Sequence, residues 1–515
     1  MEKNIRKIVL IIGLLLFALG MRFLFEFVYS LVWEYYDFST VLGFSLRFLY
    51  IFVFAIIWFV IALRSESPQH KLPWVLLLLL EPMIGLTLFL SLGRNFKNSR
   101  RYKKRPLMHE DRYVLREAKP HDKVLDLAGY KESIRELFHS AHHQSYHQPF
   151  NNDTTTEIFR NGETFYPDLM RSIEEAEKFI LFEFFIIRSD ERGKEIMNLL
   201  MAKAEEGIDV KVIMDGLGSN NKMAYRYKQI LKKSKIDFVI NDKIYFPLFN
   251  TKVNYRNHRK IVVVDGKIGY TGGMNIGNEY DNRIESDYYF RDTQIKLVGR
   301  AVKSLTALFF KDYYYNTNQF INHDFYYPEF SKKANGIVQI VQSGPDSNHA
   351  QIRDIYIKMF MMARKSIKIM TPYMALDVET LSALRIAANS GIDVEVIVPG
   401  IPDKYLIYKV TKFYITSLLE EGIKVYTYDL GFAHAKVLIV DDEVASVGSY
   451  NLDNRSAVID FEVTALIYND SVQTLSKQFE EDKQDSTLKD LKTWKKRNVI
   501  TRLIEGVLSI FTPII

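Results

Sequence analysis

Two stretches of this chain carry the same residues at the same spacing, 176 residues apart. The first is His258-Arg-Lys260, the apolar run Ile261 to Val264, Asp265, Gly272 and Asn275; the second is His434-Ala-Lys436, Val437 to Val440, Asp441, Gly448 and Asn451. Once a histidine is fixed, each further match is about a one-in-twenty accident on average residue usage, so the pattern is a duplication. A second pair of near-copies, Gly207-Ile-Asp-Val-Lys-Val-Ile213 and Gly391-Ile-Asp-Val-Glu-Val-Ile397, lies 184 residues apart. The unequal offsets mean two homologous halves with different intervening lengths. Two half-sites facing each other across one cleft are the expected outcome.

The residue types fit phosphoryl chemistry. A histidine can attack phosphorus, and a second can donate a proton to the leaving alcohol. Two lysines would neutralise the non-bridging oxygens of a phosphodiester in the transition state. On a strand, i and i+2 share a face, so His258 with Lys260, and His434 with Lys436, can each reach one pocket. The apolar runs after them read as strands buried on both faces. Asp265 precedes Gly266, a hairpin-turn signal, so Asp265 and Asp441 are expected to organise the site rather than carry its chemistry. Glu462 lies 28 residues after His434 and is expected to accept a hydrogen bond from its imidazole; Asp292 holds the comparable place for His258. Asn275 and Asn451 are candidates to donate to phosphate oxygens, with a purely conformational role in the glycine turn as the alternative.

Composition narrows the class. The chain has 515 residues, no cysteine and a formal net charge of +6. Disulfides, thiolate metal sites and a cysteine nucleophile are excluded, and the charge is too modest for a nucleic-acid binder. From about residue 155, strand and helix patterns alternate in the manner of an α/β layer structure. Strands are expected at Phe179 to Ile187, Val210 to Met214, Ser366 to Met370 and Val394 to Val398, with helices at Glu191 to Glu206 and Val378 to Ala388. Residues 106–150 read as a polar connector. His139, His142, His143 and His147 lie there at helical spacings, but no acid or cysteine completes a ligand set, so a solvated helix face and no metal are expected.

The apolar excess sits at the N-terminus. Ile8 to Trp33, Val41 to Leu63 and Trp74 to Leu92 are each close to the roughly 20 residues that cross a bilayer. The run Arg94, Lys97, Arg100, Arg101, Lys103, Lys104 and Arg105 then places the following body on the cytoplasmic side. Two or three crossings both remain open, because Lys3, Arg6 and Lys7 favour the same side. At the other end, Val499, Ile500, Leu503, Ile504, Val507, Leu508 and Phe511 follow a basic start and mark an amphipathic helix, either covering the core or lying on a membrane.

These residues resemble the phospholipase D superfamily, whose signature is H-x-K-x4-D followed by G-S-x-x-N. The second copy matches in full, Ser449 included, whereas the first has Gly273 in place of serine. That Gly-Gly, within Tyr270 to Asn275, is similar to the bacterial cardiolipin synthase branch, as are Asn161-Gly162, Thr371-Pro372-Tyr373 and Asn454-Arg455-Ser456. The resemblance implies two phospholipase D-like α/β repeats in one pseudo-twofold body, at residues 151–330 and 331–490. A transmembrane region at 1–105 would precede them, and the amphipathic helix at 491–515 would follow. It also implies a phosphatidyl transfer between two phosphatidylglycerol molecules, giving cardiolipin and glycerol with no cofactor or metal. His258 would be the nucleophile and His434 the acid–base, with the acidic residues orienting them. A phospholipase D or phosphatidylserine synthase of the same fold, or a non-catalytic membrane scaffold, are the alternatives.

Overall fold

The computed structural model describes residues 127–145, 147–220, 222–242, 254–283, 288–347 and 349–512, together with 59, 61, 63, 68–80, 85–86 and 88–89. The chain divides into a smaller unit of residues 1–95 and 245–253 with residue 514, and a larger unit of the remainder.

In the larger unit, each motif strand sits in the middle of its own sheet. The first sheet runs, edge to edge, Thr154–Phe159, Gln294–Gly299, Ile268–Gly272, Ile261–Val264, Phe179–Phe184, Asp209–Asp215 and Asp237–Asn241. The second repeats that order with Ile337–Ser343, Glu462–Tyr468, Val444–Gly448, Val437–Val440, Ser366–Met370, Asp393–Pro399 and Lys424–Tyr428. Two short edge strands, Phe150–Asn151 and Ser486–Leu488, extend the second sheet. In both, the motif strand pairs antiparallel with the first strand of its half's parallel pair, and that strand pairs in parallel with the next. The expected strands and helices are all present, with ends moved by a few residues. Phe179 to Ile187 shortens to Phe179–Phe184, because the chain leaves the sheet towards the site.

Strand alternation explains why the motif runs are apolar throughout. Phe179, Leu181, Ile261 and Val263 face the layer between the sheets, where they meet Val437, Ile439, Val447 and Val463. Ile180, Phe182, Val262 and Val264 face the opposite way, under the outer helices Gly162–Glu174 and Glu191–Glu205. Both faces are dry, so no polar alternation survives. The helices are not all outside, however. Leu305, Leu308 and Phe309 of Val302–Thr317, and Val472, Leu475 and Phe479 of Ser471–Gln484, join the layer between the sheets.

The expected connector is partly core. Helix Glu132–Ser145 buries Ile134, Leu137, Phe138 and Ala141 against the second half, and Phe150 pairs with Val338 there. The apolar spacing was masked by the interspersed histidines. His147 is itself buried, which departs from the expected solvated face, and no cluster of metal-binding residues occurs among the described residues.

In the smaller unit, helix Pro68–Leu80 is 13 residues long, and Trp74 meets Phe89 edge-on at 5.5 Å. Among the described residues no helix is long and apolar enough to cross a membrane. Of the three expected crossings, Ile8 to Trp33 lies outside the described residues, as does Val41 to Leu63 except for Phe59, Ile61 and Leu63. Residues 94–105, the basic run, also lie outside them.

Candidate active site

Each histidine is reached by a short strand contact with the opposite half. Asn257 bridges Phe461 in parallel, and the His258 amide donates to the Phe461 carbonyl at 2.9 Å. Gly431–Ala433 pairs in parallel with Tyr289–Arg291, and the His434 amide donates to the Arg291 carbonyl at 2.6 Å. The residue after each accepting carbonyl is an acid. Glu462 therefore receives His258, whose Nδ1 lies 3.0 and 3.1 Å from its oxygens. Asp292 receives His434, with Nδ1 at 2.6 Å from Oδ2.

This corrects the expected pairing. Asp292 and Glu462 do hold equivalent places, since Gly272 pairs with Gln294 as Gly448 pairs with Thr464, each two residues beyond the acid. But each acid serves the histidine of the other half. Neither half-site is complete without its twin. With Nδ1–H given to a carboxylate, each ring presents its Nε2 lone pair.

The departure from the signature at Gly273 has a steric cause. A Cβ at Gly273 would stand 2.1 Å from Asp292 Oδ1 and 2.9 Å from its carboxyl carbon. In the second half, the serine is present because the longer Glu462 reaches past it: Ser449 Oγ donates to Glu462 Oε2, and Ser456 Oγ donates to Oε1 at 2.8 Å. Gly–Asp in one half and Ser–Glu in the other are two solutions to filling one space.

Burial and the crowd of cations set the protonation states. Burial first, then Lys260, holds the His258 imidazole well below its usual range. Burial and Lys436 bring His434 down to about 4. Burial also lowers Lys260 to about 7 and Lys436 to about 8. His258 experiences His434 and Lys436, and Lys260 experiences Lys436, so the two half-sites form one electrostatic centre. The acids differ. Burial raises Glu462 to about 7, whereas Asp292, equally buried, is held below the carboxylate range by Lys436 and His434. A phosphodiester anion is the ligand whose charge this cluster complements.

Lys260 Nζ donates to the His258 carbonyl at 2.6 Å and lies 5.7 Å from the Phe185 ring; Lys436 Nζ donates likewise to the His434 carbonyl. Phe185 meets the His258 ring edge-on at 5.0 Å, and Phe290 and Phe432 stand 5.2 and 5.9 Å from that of His434. These rings wall the two imidazoles, leaving the His258 side chain 13% and that of His434 8% exposed.

The motif aspartates face away from this chemistry. Asp265 accepts the amides of Glu177, Lys178 and Phe179 at 2.9, 2.8 and 3.0 Å. Asp441 accepts those of Arg364, Lys365 and Ser366 at 2.8, 2.7 and 2.9 Å. Each clamps the start of the strand beside its own motif. Each also adopts a positive φ, 52° and 55°, at the head of a tight turn, continued by Gly266 and Asp442. Asn275 is likewise committed to the fold: Oδ1 accepts from the Ile186 amide at 3.0 Å and Nδ2 donates to the Tyr280 hydroxyl at 2.9 Å. Asn451 differs, for its buried Oδ1 makes no hydrogen bond.

A buried polar network under His258 escaped the motif reading. Asn257 Nδ2 donates to Glu183 and to Asp312, and Arg259 Nη1 donates to Asp312 Oδ2 at 2.5 Å. Burial, with Asp312 beside it, pushes the Glu183 carboxyl far up. The second half has Ala433 and Ala435 at these places, and both are packed in apolar core. That difference between the copies was the available signal.

The chain is similar to known proteins. The family described as "Cardiolipin synthase, PLD-like domain" matches residues 169–298 and 356–483. A cardiolipin synthase of Geobacillus sp. (strain WCH70) is 34% identical over 460 residues, spanning 89% of this chain and 91% of that protein. Cardiolipin synthase 1 of Bacillus cereus is 36% identical over 470 residues, with the same coverage of 89% and 91%. Among solved structures, a phosphatidylserine synthase from Haemophilus influenzae superposes with a TM-score of 0.55 at 17% identity, covering 75% of this chain and all of that one. At that identity the superposition speaks for the fold alone.

Proposed function

The chain belongs to the cardiolipin synthase family of phospholipase D-like phosphatidyltransferases, and we propose how its two half-sites carry out the transfer. The Nε2 of His258 attacks the phosphorus of one phosphatidylglycerol, forming a phosphatidyl-histidine as glycerol leaves. The Nε2 of His434 protonates the departing glycerol oxygen, then takes the proton from the hydroxyl of a second phosphatidylglycerol. That hydroxyl attacks the phosphatidyl-histidine and releases cardiolipin. Lys260 and Lys436 hold the non-bridging oxygens throughout.

The observation that carries the assignment is the unequal pair of acids. Asp292, held low, is a full anion beside His434 and favours the imidazolium that a proton donor needs. Glu462, raised by burial and shared with Ser449 and Ser456, is a weaker anion and leaves His258 neutral for attack. Once the substrate anion enters, both imidazoles and both lysines rise, so His434 gains its proton with the substrate bound. Asp265 and Asp441 act by holding strands, and Asn451 would meet phosphate through its Nδ2 donor, since its buried Oδ1 can only accept. Residues 1–105 anchor the enzyme in the membrane, with the basic run at 94–105 on the cytoplasmic side. The test is direct: purified protein given phosphatidylglycerol alone yields cardiolipin and glycerol in equal amounts. Phosphatidic acid as the main product instead would make it a hydrolase.

A further inference from the structure

We infer that the helix Val499–Ser509 is a lipid-surface platform, which seats the mouth of the active site on a membrane rich in anionic lipid. The polarity of this helix is inverted with respect to the body it rests on. Its one buried side chain among those described is Glu505, which accepts from Arg497 Nη1 at 2.9 Å. Val499, Ile500, Leu503, Ile504 and Val507 all point outward, as does Ile510 just beyond the helix, with exposures from 46 to 75%. A helix docked only to cover a core turns its apolar side inward. This one is fixed by the Arg497–Glu505 ion pair and by Leu508 on the core, and presents its remaining apolar residues to the surroundings.

The fastening is specific. Trp494 Nε1 donates to Thr416 Oγ1 at 3.1 Å, and the Arg497 guanidinium stacks 3.9 Å above the Trp494 ring. Both hold the segment on the helix Tyr405–Glu420, whose first residues Tyr405 and Leu406 are also exposed apolar groups. The loop that opens that helix reaches the site. Tyr373 hydrogen-bonds Asp403, the Lys404 ammonium lies 4.7 Å from the Tyr373 ring, and that ring is 6.3 Å from Phe432, which flanks His434. One continuous edge therefore runs from the outward apolar face to the catalytic histidine.

Charge selects the occupant. Lys492, Lys496 and Arg502 are exposed around the apolar face, with Lys495 beside them paired to Glu420 at 2.7 Å, the pattern of an interfacial helix on anionic headgroups. A second copy would bring the same cations against them. The basic run at 94–105 would do the same. A surface of anionic lipid is complementary to both features at once. The inference does not depend on which alcohol accepts the phosphatidyl group.

The chain contains no cysteine, so a nitroxide attached to a single introduced cysteine reports one place. The full chain carrying Ile504→Cys, and separately Thr493→Cys as the polar control, is reconstituted in phosphatidylcholine vesicles with and without phosphatidylglycerol. Oxygen should relax the label at 504 more than a water-soluble nickel chelate does when phosphatidylglycerol is present, with the order reversed at 493. Preference for the chelate at 504 in both vesicles, or shielding from both reagents by protein, would overturn the proposal. The double variant Leu503→Asp/Ile504→Asp should raise KM for vesicle substrate about tenfold. Its kcat/KM for short-chain phosphatidylglycerol dispersed as monomers should be unchanged. Equal losses on both substrates would also overturn it. The label reads out without turnover, so an enzyme inactive on phosphatidylglycerol would refute the proposed reaction and leave this result standing.

Discussion

Restoring the general signature by Gly273→Ser should inactivate the enzyme, although serine is what the second half carries at Ser449. The new Cβ would fall 2.1 Å from Asp292 Oδ1 and 3.1 Å from Oδ2, inside van der Waals contact with the whole carboxylate. The turn cannot retreat freely, because the Gly273 amide donates to the Thr293 carbonyl at 2.9 Å. The carboxylate must move instead, and it gives up its 2.6 Å bond to His434 Nδ1 or its 2.8 Å bond from the Thr293 amide. Overpacking of this kind costs about 1–3 kcal/mol, and a lost charge-assisted hydrogen bond roughly 1.5–3 kcal/mol more. The catalytic loss is larger, since a histidine freed from its orienting carboxylate loses up to about 10⁴ in kcat. The assay is cardiolipin formation from phosphatidylglycerol, normalised to folded protein by thermal unfolding. The double variant Gly273→Ser/Asp292→Glu rebuilds the arrangement of the second half and should recover at least about tenfold of the loss, which general overpacking would not allow. If Gly273→Ser keeps kcat within about threefold of the parent with unchanged thermal stability, the steric account of the motif is wrong.

The cross-half pairing predicts that Glu462→Gln slows formation of the phosphatidyl-enzyme. Asp292→Asn should instead impair proton transfer at His434, which an activated donor with a low-pKa leaving group would partly rescue; rescue of the Glu462→Gln enzyme and not of Asp292→Asn would reverse the assignment. Asp265→Asn removes an anionic acceptor of three backbone amides and should lower stability by about 2 kcal/mol while leaving activity per folded molecule within a few fold; a stable but inactive protein would give Asp265 a chemical role. Lys260 at about 7 and Lys436 at about 8 carry their charge below those values and lose it as pH rises through them. The substrate anion binds the charged forms, so kcat/KM should fall by about tenfold per unit above pH 7 as Lys260 loses its charge, and more steeply above pH 8 as Lys436 follows. A flat profile from pH 7 to 9.5 would contradict this.

The duplicated motif revealed the two halves, their strands and the histidine and lysine pairs, because each constrains residue type at a fixed strand offset. The partner of each histidine was not legible. Sequence spacing places Asp292 and Glu462 relative to their own sheets, whereas the crossing depends on the parallel contacts of Asn257 with Phe461 and of Gly431–Ala433 with Tyr289–Arg291. Contacts between halves leave no periodic trace. The network of Glu183 and Asp312 beneath Asn257 and Arg259 was hidden for a related reason: its members come from three separate elements, and only the contrast with Ala433 and Ala435 pointed to it. Helix Glu132–Ser145 was missed because its buried face, Ile134, Leu137, Phe138 and Ala141, alternates with polar residues that dominate the composition. In the sequence Gly273 is a departure from the general signature that resembles one branch of the superfamily; its steric reason, the carboxylate of Asp292 in the space a side chain would occupy, is visible only in the fold.

The central claim is that one histidine carries the phosphatidyl group between two alcohols. The stereochemical course at phosphorus tests it most directly. Phosphatidylglycerol made chiral at phosphorus with oxygen isotopes is converted by the purified enzyme, and the configuration of the transferred phosphorus in the product is determined. Attack by His258 inverts phosphorus once and attack by the acceptor hydroxyl inverts it again, so the account predicts net retention. Net inversion would mean a single direct displacement, with both histidines acting only as acid and base and no phosphatidyl-histidine on the path.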